Sequence, residues 1–416
     1  MGSVLMPQQP RAIAVGMFSV WCLVGAQLVA GIALAVKYRP SLEGGYASVV
    51  AMRQEPLFKF LTAFHYWASG VGIAIGALTV LAMLWLGWHG WKSRAAWWSM
   101  IVLLLALVAT QISGNLLPLS AHDVRTAYIE SGIAHDTPGF GPAIATTMLG
   151  GDSVSQATVE RWYFAHRWIF PGLAILASLL GIGYAGREKS FRANWLLVAL
   201  PLAGAIVAAV ATSAPLGPAA GQQDFASSGA RPMWYVYPMH SLLTMFQSFG
   251  NDLGWVGSAA IPTVVIVLLL ALPFFGKKGD GASAGVRIGT LGALVICVFV
   301  ISRYGSPMQS PFAEGAPGGE TAVASDFGPI DPKLAKAGRA IFERENCLEC
   351  HRLGDEGSGR KAPNLRGIGS KHSDPKWFME MLHDPASKDR ARMPAFDNLN
   401  RSELRQIAEF LRSQTR

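Results

Sequence analysis

The chain has 416 residues, of which 51% are hydrophobic, 15% are charged and 13 are Trp. Length alone would allow two or three soluble domains, but so little charge beside so much apolar side chain excludes an ordinary soluble protein and points to the membrane. The formal net charge of +8 calls for no nucleic-acid partner, and none is expected, because basic residues also orient membrane proteins.

Apolar runs of roughly 20 residues, enough to cross a bilayer core about 30 Å thick, predict seven spans. They fall at about 12–36, 57–88, 95–118, 163–186, 194–213, 254–275 and 286–303. Ala33-Leu34-Ala35 has the small-residue spacing of a signal-peptide cleavage site. The apolar run before it, about 24 residues, is long for a signal core, and a retained span is the preferred reading.

Basic residues set the orientation. With the N-terminus in the cytoplasm, the cytoplasmic segments hold Arg11, Lys92, Arg94, Arg187, Lys189, Arg192, Lys277, Lys278 and Arg287, all in short stretches. The longer opposite loops hold little more than Lys37, Arg39, Arg53, Arg125 and Arg231. This positive-inside bias, with seven crossings, delivers the C-terminal region to the outer side.

His65 lies about eight residues into the second span and His166 a few residues into the fourth, and both helices enter from the outer side. At 1.5 Å rise per residue both rings sit roughly 5–12 Å from the outer end of their spans. Two level imidazoles on facing helices can ligate a haem iron from both sides. Either alone would read as a satisfied interfacial residue, but a level pair in hydrocarbon, where polar side chains are costly, favours a haem. His89 reads as interfacial, and His122, His135, His372 and His383 have no spacing that recommends them as ligands.

Residues 305–330, rich in Gly, Pro, Ser and Ala, read as a linker. Beyond it, Cys347-Leu348-Glu349-Cys350-His351 places two cysteines at i and i+3 beside a histidine. That spacing permits two thioethers to one haem, with His351 as an axial ligand. Half of a zinc site or a thioredoxin-like pair are the other readings, but no second Cys or His pair follows and the flanks lack a βαβ pattern. A c-type haem is attached on the outer side, in accord with the charge bias. Met393, in Arg392-Met393-Pro394-Ala395-Phe396, stands after the haem motif and before a final helix, where a thioether can be the second axial ligand; elsewhere a lone Met is core filler. Cys22 and Cys297 lie in apolar spans, so no disulfide framework is expected. Helices are predicted at about 332–346 and 402–413, with Gly338 and Phe342 placed to pack on Phe410.

Several segments together resemble a known family. Tyr38-Arg39-Pro40, Ser113-Gly114-Asn115-Leu116-Leu117-Pro118, Arg161-Trp162-Tyr163-Phe164-Ala165-His166 and the Pro232-Met233-Trp234-Tyr235 loop resemble, in order, cytochrome b of the quinol:cytochrome c oxidoreductases. The form is the short chloroplast type, with its four-helix and three-helix parts fused in one chain. Residues from about 330 resemble a class I cytochrome c, and Pro363-Asn364-Leu365 resembles the loop over the histidine side of its haem. Gly139-Phe140-Gly141-Pro142 and Gly150-Gly151 resemble the surface hairpin of the cytochrome b family. The implied fold class is an all-α membrane protein with seven transmembrane helices, a haem-binding four-helix bundle plus three, followed by a small all-α cytochrome c domain. The divisions are 1–190, 191–304, the linker 305–330 and 331–416.

The departures carry the functional expectation. The family places a second histidine 14 or 15 residues after each first one; here Thr79 or Val80 and Leu180 or Gly181 stand there, and none can ligate iron. Fourteen to fifteen helical residues is about 21 Å, so the missing haem is the one near the cytoplasmic face. Two glycines of that site also look replaced, with Met17 and Ser99 near their places, whereas Gly31 and Gly114 beside the outer site are kept. Met233 stands where the family has a glutamate that accepts a proton from quinol, a task a thioether cannot perform because it has no titratable proton. The expectation is an electron-transfer subunit with one b haem, ligated by His65 and His166, and one covalent c haem, held by Cys347, Cys350, His351 and Met393. It would pass electrons between a redox partner or the quinone pool and the periplasm without a full Q cycle. One alternative is a quinol:cytochrome c oxidoreductase core, quinone included, in which His240 replaces the lost glutamate. A haem-free membrane anchor for the cytochrome c is the other. Expected partners are an iron–sulfur or molybdenum protein within a membrane redox complex, a soluble periplasmic electron carrier, the lipid membrane and a second copy of the chain. The expected location is a bacterial inner membrane, with the N-terminus cytoplasmic and the cytochrome c domain periplasmic.

Overall fold

The computed structural model describes residues 9–90, 93–151, 154–188, 192–217, 219, 233–249, 253–275, 284–304, 330–354, 356–357, 362, 364–385 and 393–415. Almost all of the linker, together with Pro232, Pro363 and Arg392, lies outside them. Among the described residues the chain is helical, and its β content is confined to isolated bridges.

The first compact unit comprises 1–118, 156–216 and 261–299. Its helices are α1 (Gln9–Lys37), α2 (Gly44–Gln54), α3 (Pro56–Leu86), α4 (Arg94–Leu116), then, beyond the residues of the other unit, α7 (Gln156–Phe164), α8 (Phe170–Arg187), α9 (Trp195–Ala211) and α11 (Ile261–Phe275). Helix α3 starts on Pro56, whose missing N–H costs nothing in a first turn, and stops at Gly87 in the left-handed region. The Gly87 and Trp88 amides then donate to the carbonyls of Leu84 and Met83.

Among the described residues, five helical stretches are long and apolar enough to cross a membrane: Arg11–Lys37, Pro56–Leu86, Arg94–Leu116, Gln156–Arg187 and Val256–Phe275. The expected fifth and seventh spans correspond to shorter apolar helical stretches, Trp195–Ala211 and Ile288–Cys297, the latter within α12 (Ala284–Tyr304). The chain is a multi-pass membrane protein.

Two helical stretches take a π turn: Ala165–Ile169 between α7 and α8, and Val256–Ala260 before α11. Each is followed two residues later by a proline, Pro171 and Pro262. A proline ring clashes with the carbonyl four residues back, and a widened turn accommodates it without ending the helix.

Helix α1 packs on α3, α4 packs on α8, and α9 lies against α1 and α3. Their core includes Ile13, Met17, Trp97, Met100 and Leu103, each fully buried. Several cross-helix hydrogen bonds among the described residues end on backbone carbonyls, as suits hydrocarbon surroundings. Trp97 Nε1 donates to Leu269 O at 2.7 Å, Trp98 Nε1 to Leu270 O at 2.9 Å, and Ser99 Oγ to Ala177 O at 2.8 Å.

The second unit comprises 119–155, 217–260 and 300–416. It contains α5 (Ala121–His135), which opens on a Ser120/Asp123 capping box, and α6 (Gly141–Leu149), which packs on α5. A short turn at Trp234–Val236 leads into α10 (Tyr237–Phe249). The C-terminal helices are α13 (Pro332–Arg344), α14 (Cys347–Cys350), α15 (Ile368–Lys371), α16 (Pro375–His383) and α17 (Arg401–Arg412). The expected pairing of α13 with α17 is present: Phe342 and Phe410 have ring centroids 5.1 Å apart. Gly338 lies so close to the Gln406 carbonyl that a Cβ there would collide with backbone.

Burial pushes the Glu130 carboxyl on α5 up from its ordinary 4.5 to about 8. An acid held above its unfolded value releases its proton first in the unfolded chain, so stability falls as pH rises through the interval between the two values. Replacing it by Gln, Glu130→Gln, should raise the thermal midpoint above about pH 8, with the gain vanishing below about pH 4.5; a pH series of thermal melts reads this.

Candidate haem sites

His65 on α3 and His166 in the π turn come together inside the first unit, with ring centroids 6.0 Å apart and planes at 79°. A metal–imidazole bond is about 2 Å long, so two rings at this spacing can share one ion. Glycines face both rings from neighbouring helices. A Cβ at Gly31 on α1 would lie 3.3 Å from His65 Cε1, and one at Gly114 on α4 would lie 2.7 Å from His166 Cε1. Larger residues would push the rings aside.

The two imidazoles are held differently. His166 Nδ1 lies 2.9 Å from the Thr110 carbonyl and 3.3 Å from Ser113 Oγ. The carbonyl can only accept, which fixes the proton on Nδ1 and leaves Nε2 with a lone pair for a metal. Nδ1 of His65 is buried with no hydrogen-bond partner among the described residues, while the His65 carbonyl accepts from Gln27 Nε2 at 2.8 Å. A buried imidazole with an unmet nitrogen is costly unless another group satisfies it. The donor set and the glycine cradle fit a haem.

The Tyr38, 113–118 and 161–166 motifs meet around this site. Tyr38 Oη donates to the Leu117 carbonyl at 2.7 Å, and the Tyr38 ring lies 5.4 Å from that of Tyr163. Thr110, Ser113 as a hydrogen-bonding partner, Gln27 and the π turn were not legible as site features beforehand. Pro171 was the available signal for the last.

At the positions of the absent second histidines the bundle is closed. Thr79 is buried and returns its hydroxyl to the Ile75 carbonyl at 2.7 Å. Gly16 faces the Thr79 side chain closely. Gly181 faces Ser99, Trp21 and Met17, with Met17 and Ser99 fully buried. His89, expected at the interface, is buried edge-on to Trp97 at 5.9 Å. Met233 precedes the Trp234–Val236 turn, its carbonyl accepting from Val236 N at 2.9 Å, and His240 lies on α10 with Nδ1 buried.

In the C-terminal region Asn346 takes a left-handed conformation, φ 50°, that turns the chain from α13 into the Cys347–Cys350 helix. His351 N closes that turn on Cys347 O at 2.8 Å. Cys347 is in the core formed by Phe342, Phe378, Ile407 and Phe410, and Met393 packs against the same core. Asn364 and Leu365 hold the loop after the motif, Leu365 N donating to Arg352 O at 2.7 Å. The cysteines, His351 and Met393 thus belong to one small domain that fits a covalent haem.

Comparison with known proteins agrees with both halves. Residues 3–184 match the family described as Cytochrome b/b6/petB, and residues 333–411 match that described as Cytochrome C oxidase, cbb3-type, subunit III. Cytochrome b6 of Mastigocladus laminosus is 29% identical over 155 residues, 37% of this chain and 72% of that protein. Cytochrome b6 of Rippkaea orientalis is 27% identical over 168 residues, 38% of this chain and 76% of that protein. A solved structure titled "Hyperthermophilic respiratory Complex III" shares the fold, with TM-score 0.56 and 18% identity over 74% of this chain and 86% of that one. The class is therefore a membrane-embedded cytochrome for electron transport. Specifically, this chain joins a cytochrome b/b6-type segment to a c-type cytochrome domain.

The substitution Gly114→Leu should expel the b-type haem while leaving the c-type haem attached. The ratio of the two in reduced-minus-oxidised spectra reads the outcome.

Proposed function

We propose that the protein is an electron-transfer subunit of a respiratory membrane complex with one outer b haem, ligated by His65 and His166, and one c haem, ligated by His351 and Met393 and bonded to Cys347 and Cys350. The observation that carries this reading is the contrast along one bundle. Glycine-faced imidazoles stand paired at one level, and Met17, Ser99, Trp21 and Thr79 close the other. Bifurcated quinol oxidation requires a haem near each face, so that one electron can be carried inward. With one haem level, electrons move only along the outer side, between a redox partner or the quinone pool and the periplasm.

The charge bias supports a cytoplasmic N-terminus and a periplasmic cytochrome c domain in a bacterial inner membrane. An iron–sulfur or molybdenum protein, a soluble electron carrier and a second copy of the chain are the partners this role calls for. The purified protein should contain one extractable haem for each covalent haem, measured by pyridine haemochrome. Two b haems per c haem would overturn the single-level reading, and none would favour a haem-free anchor.

Met233 cannot accept a proton from quinol. A quinol analogue mixed with the oxidised protein in a stopped-flow instrument should reduce both haems slowly or not at all. Fast reduction, slowed roughly 10²–10⁴-fold by His240→Ala as for loss of a general base, would instead establish an oxidoreductase core with His240 as the acceptor.

A further inference from the structure

Glu345, two residues before Cys347, has a side chain with no exposure to solvent. Its carboxylate accepts from Arg344 Nε at 2.9 Å and from Asn398 Nδ2 at 3.3 Å. Arg344 also donates to Glu403 at 2.9 Å, and Glu403 closes the capping box of α17 with Asn400. Burying a carboxylate is costly unless its oxygens are hydrogen-bonded. The partner that needs explanation is Asn398, because it lies five residues after Met393 on the loop 393–400.

That loop has few other fixed points. Phe396 N donates to Leu382 O at 2.9 Å, Leu399 N donates to Phe396 O at 3.1 Å, and both side chains are buried. Pro394 restricts the backbone of Met393 directly. Glu345 adds the one side-chain bond between this loop and the segment carrying the cysteines that the described residues contain. It does so from a rigid place, between the last turn of α13 and the left-handed Asn346.

We infer that Glu345 is a positioning residue, a buried clamp that holds the Met393 loop at the reach of the haem fixed by Cys347 and Cys350. It touches neither haem nor substrate. By pinning Asn398 it limits how far the loop can swing, and so favours the thioether over water as the sixth ligand. A thioether ligand raises the reduction potential, so the clamp acts on the potential of the c haem. This inference rests on Met393 being the axial ligand.

The test uses the full-length protein with its haems loaded, reading the c-haem potential and the weak long-wavelength band of methionine-ligated ferric haem. Glu345→Ala and Asn398→Leu should each lower the potential and weaken the band. Glu345→Gln, which keeps an acceptor for Asn398, should restore both to wild type. Glu403→Ala, which removes the Arg344 tie between α13 and α17 without touching Glu345 or Asn398, should leave both unchanged. Met393→Ala separates the two ideas. If it leaves potential and band unaltered, the ligand assignment falls, and the clamp with it. If it abolishes the band while Glu345→Ala and Asn398→Leu do not, only the clamp is overturned. A Glu403→Ala shift as large as that of Glu345→Ala would also overturn it, reducing the effect to loss of domain stability. Should Glu345→Ala fail to assemble, Asn398→Leu and Glu345→Gln decide alone.

Discussion

Two imidazoles in a hydrocarbon setting constrain everything around them. Each ring has two nitrogens, and water is absent to satisfy them, so the protein or a bound group must do so. The bundle settles one of the four through the Thr110 carbonyl, which orients His166. It leaves Nδ1 of His65 without a protein partner among the described residues. Glycines rather than larger residues face both rings, giving up packing in order to keep space. A stretch optimised only for stability would fill that space.

The far end of the same helices solves the opposite problem. Where polar ligands are gone, polar groups are either removed or returned to backbone. The Thr79 hydroxyl bonds the carbonyl one turn back, and the Ser99 hydroxyl crosses to Ala177. Methionine is suited to this filling, since its flexible thioether chain adapts to irregular gaps; Met17, Met83 and Met100 are all fully buried. The Trp97 and Trp98 indoles use carbonyls of α11, so that large rings are buried without orphaned N–H groups.

Much of this was legible in the sequence, for reasons that differ by residue. Covalent haem attachment would demand a fixed spacing, which is why Cys347, Cys350 and His351 stand out as candidates in the sequence. Depth in a membrane is linear in helical residue number, so the level placement of His65 and His166 could be counted. The helix-packing role of Gly338 followed from the expected pairing of α13 with α17. What stayed hidden was geometry that depends on partners distant in sequence. Thr110 reads as an ordinary helix residue until a ring 56 positions away meets its carbonyl. The contact of His89 with Trp97, 5.9 Å between ring centroids, likewise comes from tertiary packing. The π turn widens the helix around His166, and hydrophobic periodicity cannot distinguish it from an α turn, although Pro171 was a local hint. Glu345, in the charged stretch Glu343-Arg344-Glu345, looks like solvated surface, and only the fold returns Asn398 to it.

The two halves hold a haem-binding geometry by different physical means. In the membrane segment hydrogen bonds are scarce and strong, so positions are set by helix packing, by the space glycine leaves, and by one carbonyl. In the C-terminal domain, small for its core, water competes for every polar group, and a single surface ion pair contributes little. Arg339 with Glu343 and Glu356 is such a half-exposed cluster, able to bias local structure but not to fix a loop. A carboxylate withdrawn from solvent, as at Glu345, escapes that competition. Removing either partner then leaves a buried group unsatisfied, which costs more than the bond itself is worth. Burial thus converts a weak surface interaction into a geometric constraint, where the 393–400 loop meets the segment before Cys347.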